Sequence, residues 1–206
     1  MARRALHEPV GRGRNGRRQA LKLLGAGLVA GGIAYKAGGV EAWWIAVADH
    51  STGVGEIRSV ALPDGTQVTM DNASAIDLRF TAEERRLVLR AGAIRVTTAP
   101  DPSGRNRPFL VQGRDGTVQA LGTRFNVCLT ESQVQLDVYD GEVAVRNPAG
   151  ASVNVVAGGQ ARFNAESILS TEQADPAREA WSRGVVLADN LPLKSLIEEL
   201  GRYRKG

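Results

Sequence analysis

The chain has 206 residues, and its 43% hydrophobic content is enough to bury the core of one medium-sized domain. Its net charge of +4 is concentrated at one end, because residues 1–22 carry seven basic side chains and one acidic side chain. The remainder is slightly acidic, which argues against a nucleic-acid-binding domain with a basic face. Cys128 is the single cysteine, so a disulfide within the chain is excluded.

A basic segment followed by an apolar one opens the chain. Residues 1–20 are rich in Arg and Gly, and we interpret them as a cytoplasmic segment. Residues 21–45 are mostly apolar or Gly, and about 20 helical residues span the hydrocarbon core of a bilayer. Trp43 and Trp44 follow at the depth of an aromatic belt. This order predicts a single-pass inner-membrane anchor with a cytoplasmic N-terminus and a periplasmic body.

A cleaved export signal is the alternative interpretation of the same residues. The segment Arg17–Lys22 resembles a twin-arginine motif, and Ala46-Val47-Ala48 is a plausible cleavage site. We favour the anchor because Lys36 and Glu41 interrupt the approach to that site. In both interpretations the residues after about 49 are exported from the cytoplasm. A buried helix of a soluble protein is the third possibility, and the dense basic segment before the apolar run argues against it.

From Ser51 to about Asn164 apolar and polar residues alternate, which is the pattern of half-buried strands. Asp-Gly pairs at 64–65, 115–116 and 140–141 predict hairpin turns between such strands. Thr81–Arg85 is a candidate for a single helical turn. The spacing predicts a mainly β fold, an antiparallel β-sandwich or β-roll of about eight to ten short strands. Its expected core includes Phe125, Val127, Leu136 and Val138.

The C-terminal residues 166–206 read as a linker followed by one amphipathic helix. The helix places Leu193, Leu196, Ile197 and Leu200 at positions i, i+3, i+4 and i+7, so they share one apolar face. A single helix cannot bury such a face by itself. These four residues are therefore our candidate partner-binding residues.

Catalysis and metal binding are hard to build from this composition. The two histidines, His7 and His50, flank the apolar run and lie outside the predicted β domain. Nucleophilic triads and His-rich metal sites therefore lack a central component. Carboxylates are present, but solvated strand faces account for them. We expect a protein that is not an enzyme and that has no cofactor, no metal and no catalytic residues.

Residues 51–165 resemble the FecR family through a series of short motifs in a fixed order. The matching segments are Thr52–Val68, Asn72–Ala75, Arg86–Ala93, Pro108–Val111, Ala120–Val127, Gly141–Val145 and Ala157–Gln160. The residues that carry the signature are Gly55, Glu56, Asp64, Gly65, Gly122, Thr123 and Phe125. Their residue types suit turns, close backbone approach and core packing, so we interpret them as structural.

The resemblance implies a transmembrane sensor and anti-sigma regulator. Proteins of this family receive a signal from the signalling domain of a TonB-dependent outer-membrane receptor and pass it to an extracytoplasmic-function sigma factor, often in the regulation of iron uptake. Residues 181–206 resemble the linker and first helix of the family's C-terminal short domain, which is akin to the secretin and TonB receptor N-terminal domain. We expect this chain to lack the cytoplasmic anti-sigma domain and most of that short domain.

An envelope- or carbohydrate-binding β module without signalling output is the alternative function. Such a module would present a row of exposed aromatic side chains on one sheet face. The β region offers Phe80, Phe109, Phe125, Tyr139 and Phe163, which are not spaced as a stripe. We therefore rank this function below signalling.

Overall fold

The computed structural model describes residues 47–120, 122–174 and 176–185, together with positions 193, 196, 197 and 201. The predicted cytoplasmic segment 1–20 and membrane segment 21–45 lie outside these residues. Within the described part of the chain, no helix is both long enough and apolar enough to cross a bilayer. The described residues are mainly β, as the alternating pattern predicted, and they add one 3₁₀ helix at Pro176–Arg183.

Fourteen strands form two seven-stranded sheets in the described residues. The strands are β1 (His50–Ser51), β2 (Arg58–Ala61), β3 (Gln67–Met70), β4 (Ala75–Phe80), β5 (Arg85–Ala91), β6 (Ala93–Thr97), β7 (Phe109–Gly113), β8 (Gly116–Ala120), β9 (Arg124–Leu129), β10 (Val134–Asp140), β11 (Glu142–Arg146), β12 (Ser152–Val156), β13 (Gly159–Phe163) and β14 (Ile168–Gln173). The first sheet has the order β1-β4-β5-β7-β8-β11-β12. The second sheet has the order β14-β13-β10-β9-β6-β3-β2.

One apolar core lies between the inner faces of the two sheets. Both sheets contribute alternate residues to it, as period-two patterning requires. The four residues expected in the core have no exposed surface: Phe125, Val127, Leu136 and Val138. Phe109 and Phe163 belong to the same core and are also fully buried. The alternation therefore predicted the inner faces of β9 and β10 correctly.

The chain crosses repeatedly from one sheet to the other, and a residue with positive φ lies at each crossing between described strands. Gly92 is the single residue between β5 and β6, and its φ is 76°. Gly141 is the single residue between β10 and β11, and its φ is 77°. The left-handed conformation turns the strand sharply, so the alternation continues into the same core from the opposite sheet. The other crossings contain Gly55, Ala73, Gly104 with Asn106, Gly122 and Gly158.

Asp140-Gly141 is therefore not a hairpin turn, which corrects the sequence-based prediction. Strand β10 pairs with β9 and β13, whereas β11 pairs with β8 and β12. The two other Asp-Gly pairs do join antiparallel neighbours, β2 with β3 and β7 with β8. Asp-Gly supplies the same left-handed geometry to a hairpin and to a corner between sheets. The local sequence cannot distinguish them, because the difference lies in the partner strands.

Four further expectations differ from the structure. The strand count was underestimated at eight to ten, because several strands have only two to four residues. The first sheet is mixed and not wholly antiparallel, since β5 and β7 run parallel with Leu87 opposite Val111. Thr81–Arg85 forms the turn of the β4–β5 hairpin in place of a helical turn, with the Thr81 hydroxyl accepting hydrogen bonds from the backbone N–H groups of Glu83 and Glu84. Strand β14 lies beyond residue 165, where we expected a linker.

Candidate interaction surface

Asp64 lies in the turn between β2 and β3 and is held inside the domain. Its carboxylate accepts hydrogen bonds from the backbone N–H and the hydroxyl of Thr66, at 3.0 and 2.9 Å. Arg85 approaches the same carboxylate to 2.8 Å. The Asp64 side chain is 1% exposed and the Arg85 side chain is 8% exposed. Arg85 also donates to two carbonyl groups of the loop between β6 and β7. This pair fixes the first hairpin to that loop, which is a structural role.

The Asp64-Gly65 turn and Thr123 both contact the residues that follow β6. The Thr66 hydroxyl accepts a hydrogen bond from the backbone N–H of Ala99, and the Gly65 backbone lies beside the Ala99 side chain. Next to Ala99, Thr98 donates its hydroxyl to the carbonyl of Thr123 and accepts the N–H of Thr123 at 2.8 Å. The structure thus joins two of the signature turns through residues 98 and 99. Two residues on from Thr123, Phe125 points into the core.

Glu56 forms a separate local cluster at the start of β2. Its carboxylate accepts the N–H of Gly53 at 2.9 Å and pairs with Arg58 at 2.6 Å. These contacts, the Gly53 N–H first and the Arg58 guanidinium second, lower the pKa of Glu56 below its ordinary value. Gly55 precedes it with a φ of 78°. The seven signature residues thus form two groups and a core residue, and they are not gathered in one site.

The outer face of the second sheet carries polar side chains that are nevertheless buried. Asn126, Asp137 and Gln160 lie directly opposite one another on β9, β10 and β13, and each is at most 4% exposed. Arg95 on β6 continues this row, opposite Asn126. We call these four residues the polar row. An outer sheet face reaches such burial only when another part of the chain covers it.

The cover at one end of the polar row is the segment that follows β14. We call residues 176–185 the strap. Glu179 in the strap lies 3.4 Å from Arg95 and 3.7 Å from Arg124, and its side chain is 17% exposed. Ala180, the next residue, is completely buried. The strap closes on itself at Gly184, whose N–H donates to the carbonyl of Trp181 at 2.7 Å.

Few features of the sequence predict this surface. Strands β9, β10 and β13 have a polar outer face, which alternation alone assigns to water. The one available signal is the residue type: Asn126, Gln135 and Gln160 are amides, where a solvated sheet face more often carries Lys and Glu. Amides can be buried at lower cost than charges when they find hydrogen-bond partners. Asn126 has one such partner, since its amide donates to the hydroxyl of Tyr139 at 2.9 Å.

The predicted partner-binding helix is described at few positions. Leu193 and Ile197 are helical and 70% and 61% exposed, so their side chains are open to a partner. Leu196 is helical and half-buried. Leu200 lies outside the described residues. No group of three or more potential metal ligands occurs in the part of the chain that the structure describes.

Comparison with known proteins places this architecture in a family. Residues 48–144 match the family model FecR, described as FecR protein. Two crystal structures of a protein from Parabacteroides distasonis ATCC 8503, provisionally assigned as an anti-sigma factor, have a similar fold. Both are 27% identical to this chain, with TM-scores of 0.63 and 0.64, and each comparison covers 75% of this chain and 73% of the other. No curated protein sequence matches this chain.

The family match runs from β1 into β11, and so it includes the Asp64 turn, the Gly122-Thr123 crossing and most of both sheets. FecR proteins and their anti-sigma relatives are signalling regulators and not catalysts, in keeping with a fold whose signature residues shape turns and core. The motifs, the two-sheet architecture and the structural neighbours agree, and residues 48–144 form a domain of the FecR family.

Proposed function

We propose that this chain is the periplasmic sensor module of a membrane-anchored signalling protein. In this role it relays a signal from a TonB-dependent outer-membrane receptor to an extracytoplasmic-function sigma factor, as in the regulation of iron uptake. The observation that carries the proposal is the FecR match at residues 48–144, directly after a basic and then an apolar segment. We assign residues 1–20 to the cytoplasm, 21–45 to the inner membrane and 51–165 to the periplasmic β domain.

The membrane-proximal end of the domain is firmly attached to the first sheet. The N–H of Asp49 donates to the Asp77 carboxylate at 3.2 Å, and the N–H of Leu78 donates to the Asp49 carboxylate at 2.8 Å. Strand β1 then pairs with β4. A displacement of the domain would therefore be transmitted to residue 49, four residues after the proposed membrane segment. This attachment suits a module that passes a signal through the membrane.

We propose that the apolar face of the C-terminal helix in residues 166–206 binds the receptor's signalling domain. The support is the exposure of Leu193 and Ile197, because large apolar side chains that are so exposed are typical of interaction surfaces when they lie together. Leu196 and Leu200 complete the i, i+3, i+4, i+7 pattern in the sequence.

Protease access tests the proposed topology. Cells expressing the chain with a C-terminal epitope tag are converted to spheroplasts and treated with protease. We expect the tag to be digested in spheroplasts and protected in intact cells, while a cytoplasmic marker protein survives in both. A tag that survives in spheroplasts with an intact inner membrane would place the β domain in the cytoplasm and overturn the proposal.

A binding titration tests the partner. The probe is the purified N-terminal signalling domain of a TonB-dependent receptor encoded beside the gene for this chain. We expect Leu193→Glu and Ile197→Glu each to weaken binding by at least tenfold, since each places a charge in an apolar contact. Leu169→Glu is the control, because Leu169 is a large apolar side chain that is 53% exposed on β14, outside the helix. Equal weakening by all three substitutions, or by none, would contradict the assignment of this helix.

A further inference from the structure

The path of the chain after β14 fixes where the strap must lie. Strand β14 ends at Gln173, which pairs with Gly159 at one edge of the second sheet. Six residues later Glu179 reaches Arg95 on β6, which is four strands away in the order β14-β13-β10-β9-β6. Four strand spacings amount to about 19 Å. A connection this short leaves no room for a detour around the sheet edge. It points to a path over the outer faces of β13, β10 and β9, which are the strands of the polar row.

The surface beneath this path is not built like a permanent core. Permanent contacts between a segment and a sheet are normally apolar, because burying polar groups costs free energy unless each one is hydrogen-bonded. Here the buried residues are Asn126, Asp137 and Gln160, with Gln135 beside them. The side-chain amide nitrogens of Gln135 and Gln160 have no hydrogen-bond partner among the described residues. The covered state therefore carries a penalty that water would remove.

The polar contacts that attach the strap to the sheet are ionic. Glu179 faces two arginines from adjacent strands, Arg95 and Arg124, whose side chains are 26% and 44% exposed. Ion pairs at this level of exposure are screened by salt and contribute modestly. Ala180 is completely buried and Trp181 is half-buried, so the strap also has apolar contacts, and Ala180 by itself is too small to secure it.

We propose that residues 176–185 are a releasable strap, held by Glu179 on Arg95 and Arg124, which controls the exposure of the polar row. The polar row is then a second interaction surface, suited to a polypeptide that offers a carboxylate to the two arginines in place of Glu179. The strap also connects the β domain to the helix that contains Leu193 and Ile197. A pull on that helix would be transmitted to Glu179 before it reached the core. This inference rests on the described contacts and holds whichever partner the helix binds.

Hydrogen exchange of the full chain tests whether the Glu179 ion pairs hold the strap. We expect Glu179→Gln to speed exchange of the amides in residues 176–185 by roughly tenfold, while the core strands keep their protection. In the unsubstituted chain, raising the salt concentration should speed exchange of the same amides, and Glu179→Gln should remove that salt dependence. Glu166→Gln is the matched control, because Glu166 is an exposed acid in the β13–β14 turn.

A double-mutant cycle distinguishes loss of the Glu179–Arg95 ion pair from a general loss of packing. Arg95→Gln should speed exchange of the strap less than Glu179→Gln does, because Arg124 still pairs with Glu179. The double variant should exchange no faster than Glu179→Gln alone. Fully additive effects, or no effect of Glu179→Gln on the strap, would refute the proposal that ion pairs of Glu179 hold the strap.

Thiol labelling tests whether release uncovers the polar row. In a Cys128→Ser background, Gln160→Cys places a single thiol in the row. We expect slow labelling of this thiol, and labelling at least fivefold faster when Glu179→Gln is added. Unchanged labelling in a variant whose strap exchanges rapidly would show that the strap does not cover the row, and would refute this part of the proposal.

Discussion

Asp64 and Arg85, from a hairpin turn and from the first residue of β5, form an ion pair inside the domain at a distance of 2.8 Å. The guanidinium of Arg85 also lies 5.5 Å from the ring centre of Phe109, in the parallel neighbour of β5. One charged side chain thus connects the first hairpin, the β6–β7 loop and the parallel pair. Arg85 occupies an inward-facing position of β5, and the Asp64 carboxylate is what makes its burial tolerable.

Loss of Arg85 should therefore be costly. We expect Arg85→Met to lower the free energy of unfolding by about 3–5 kcal/mol, because it leaves the buried Asp64 without its cation. Urea unfolding should show a lower midpoint with an unchanged slope. Arg86→Met is the control, since Arg86 and its partner Glu84 are each 27% exposed. It should cost at most about 1 kcal/mol. Equal costs would mean that the Asp64 pair has no special role.

Gly92 and Gly122 allow the backbone and side-chain contributions of a sheet crossing to be separated. Both have positive φ, 76° and 79°. A Cβ atom at Gly92 would lie 2.2 Å from Ser74 Oγ and 2.7 Å from Ser74 Cα, whereas one at Gly122 would have nothing within 4 Å. We expect Gly122→Ala to cost about 1–2 kcal/mol from backbone strain alone. Gly92→Ala should cost at least about 3 kcal/mol, because Ser74 must also move.

Thermal unfolding followed by circular dichroism measures both variants. Ser74 donates its hydroxyl to the carbonyl of Ala93 and accepts the N–H of Ala93, each at 3.0 Å, so its displacement should also disturb the start of β6. If Gly92→Ala were no more destabilising than Gly122→Ala, the close approach at this corner would not limit the sequence there.

Asp101 should make the stability of the β6–β7 loop depend on pH. The guanidinium of Arg107, which lies 2.8 Å away, and then the Ser103 hydroxyl hold the pKa of Asp101 well below its usual range. Since the pKa is lower in the folded chain, the stabilisation is complete above the ordinary aspartate pKa of about 3.9. It is lost as the pH falls toward the folded-state pKa, because the unfolded chain then binds the proton and the folded chain does not.

Melting temperatures at several pH values test this sign. Asp101→Asn should melt below the unsubstituted chain at pH 7, and the gap should narrow steadily from pH 4 to pH 2. Asp115→Asn is the control, since Asp115 pairs with the exposed Arg114. A gap that stayed constant down to pH 2 would show that the Asp101 carboxylate does not contribute through its charge.

Asp77 should control the attachment of the membrane-proximal strand. Its carboxylate is 4% exposed and contacts Arg90 and Arg79 as well as the N–H of Asp49. We expect Asp77→Asn to speed hydrogen exchange of residues 49–51 by about tenfold, because the amide binds both arginines less strongly. Arg86→Gln, on the next strand of the same face, should leave these amides unchanged. Equal exchange in Asp77→Asn and the unsubstituted chain would contradict this role.

Period-two alternation identified the inner faces of the strands because the pleat itself has period two, so Phe125, Val127, Leu136 and Val138 could be placed in the core from the sequence. The ordered motifs likewise identified the FecR family, since turn residues such as Asp64 and Gly65 are required by the local backbone. Both kinds of information are local, and the sequence carries them without knowledge of strand partners.

The tertiary structure alone decided everything that depends on which elements meet. Asp140-Gly141 became a crossing between sheets because β11 found its partners in the other sheet. Arg85 became an interior residue because the Asp64 turn folded onto it. The polar row became buried because the strap crossed it to bring Glu179 to Arg95. Alternation predicts only which side chains share a face, and it does not predict whether that face is covered. Burial of a polar face depends on long-range packing, and no local pattern of residue types records it.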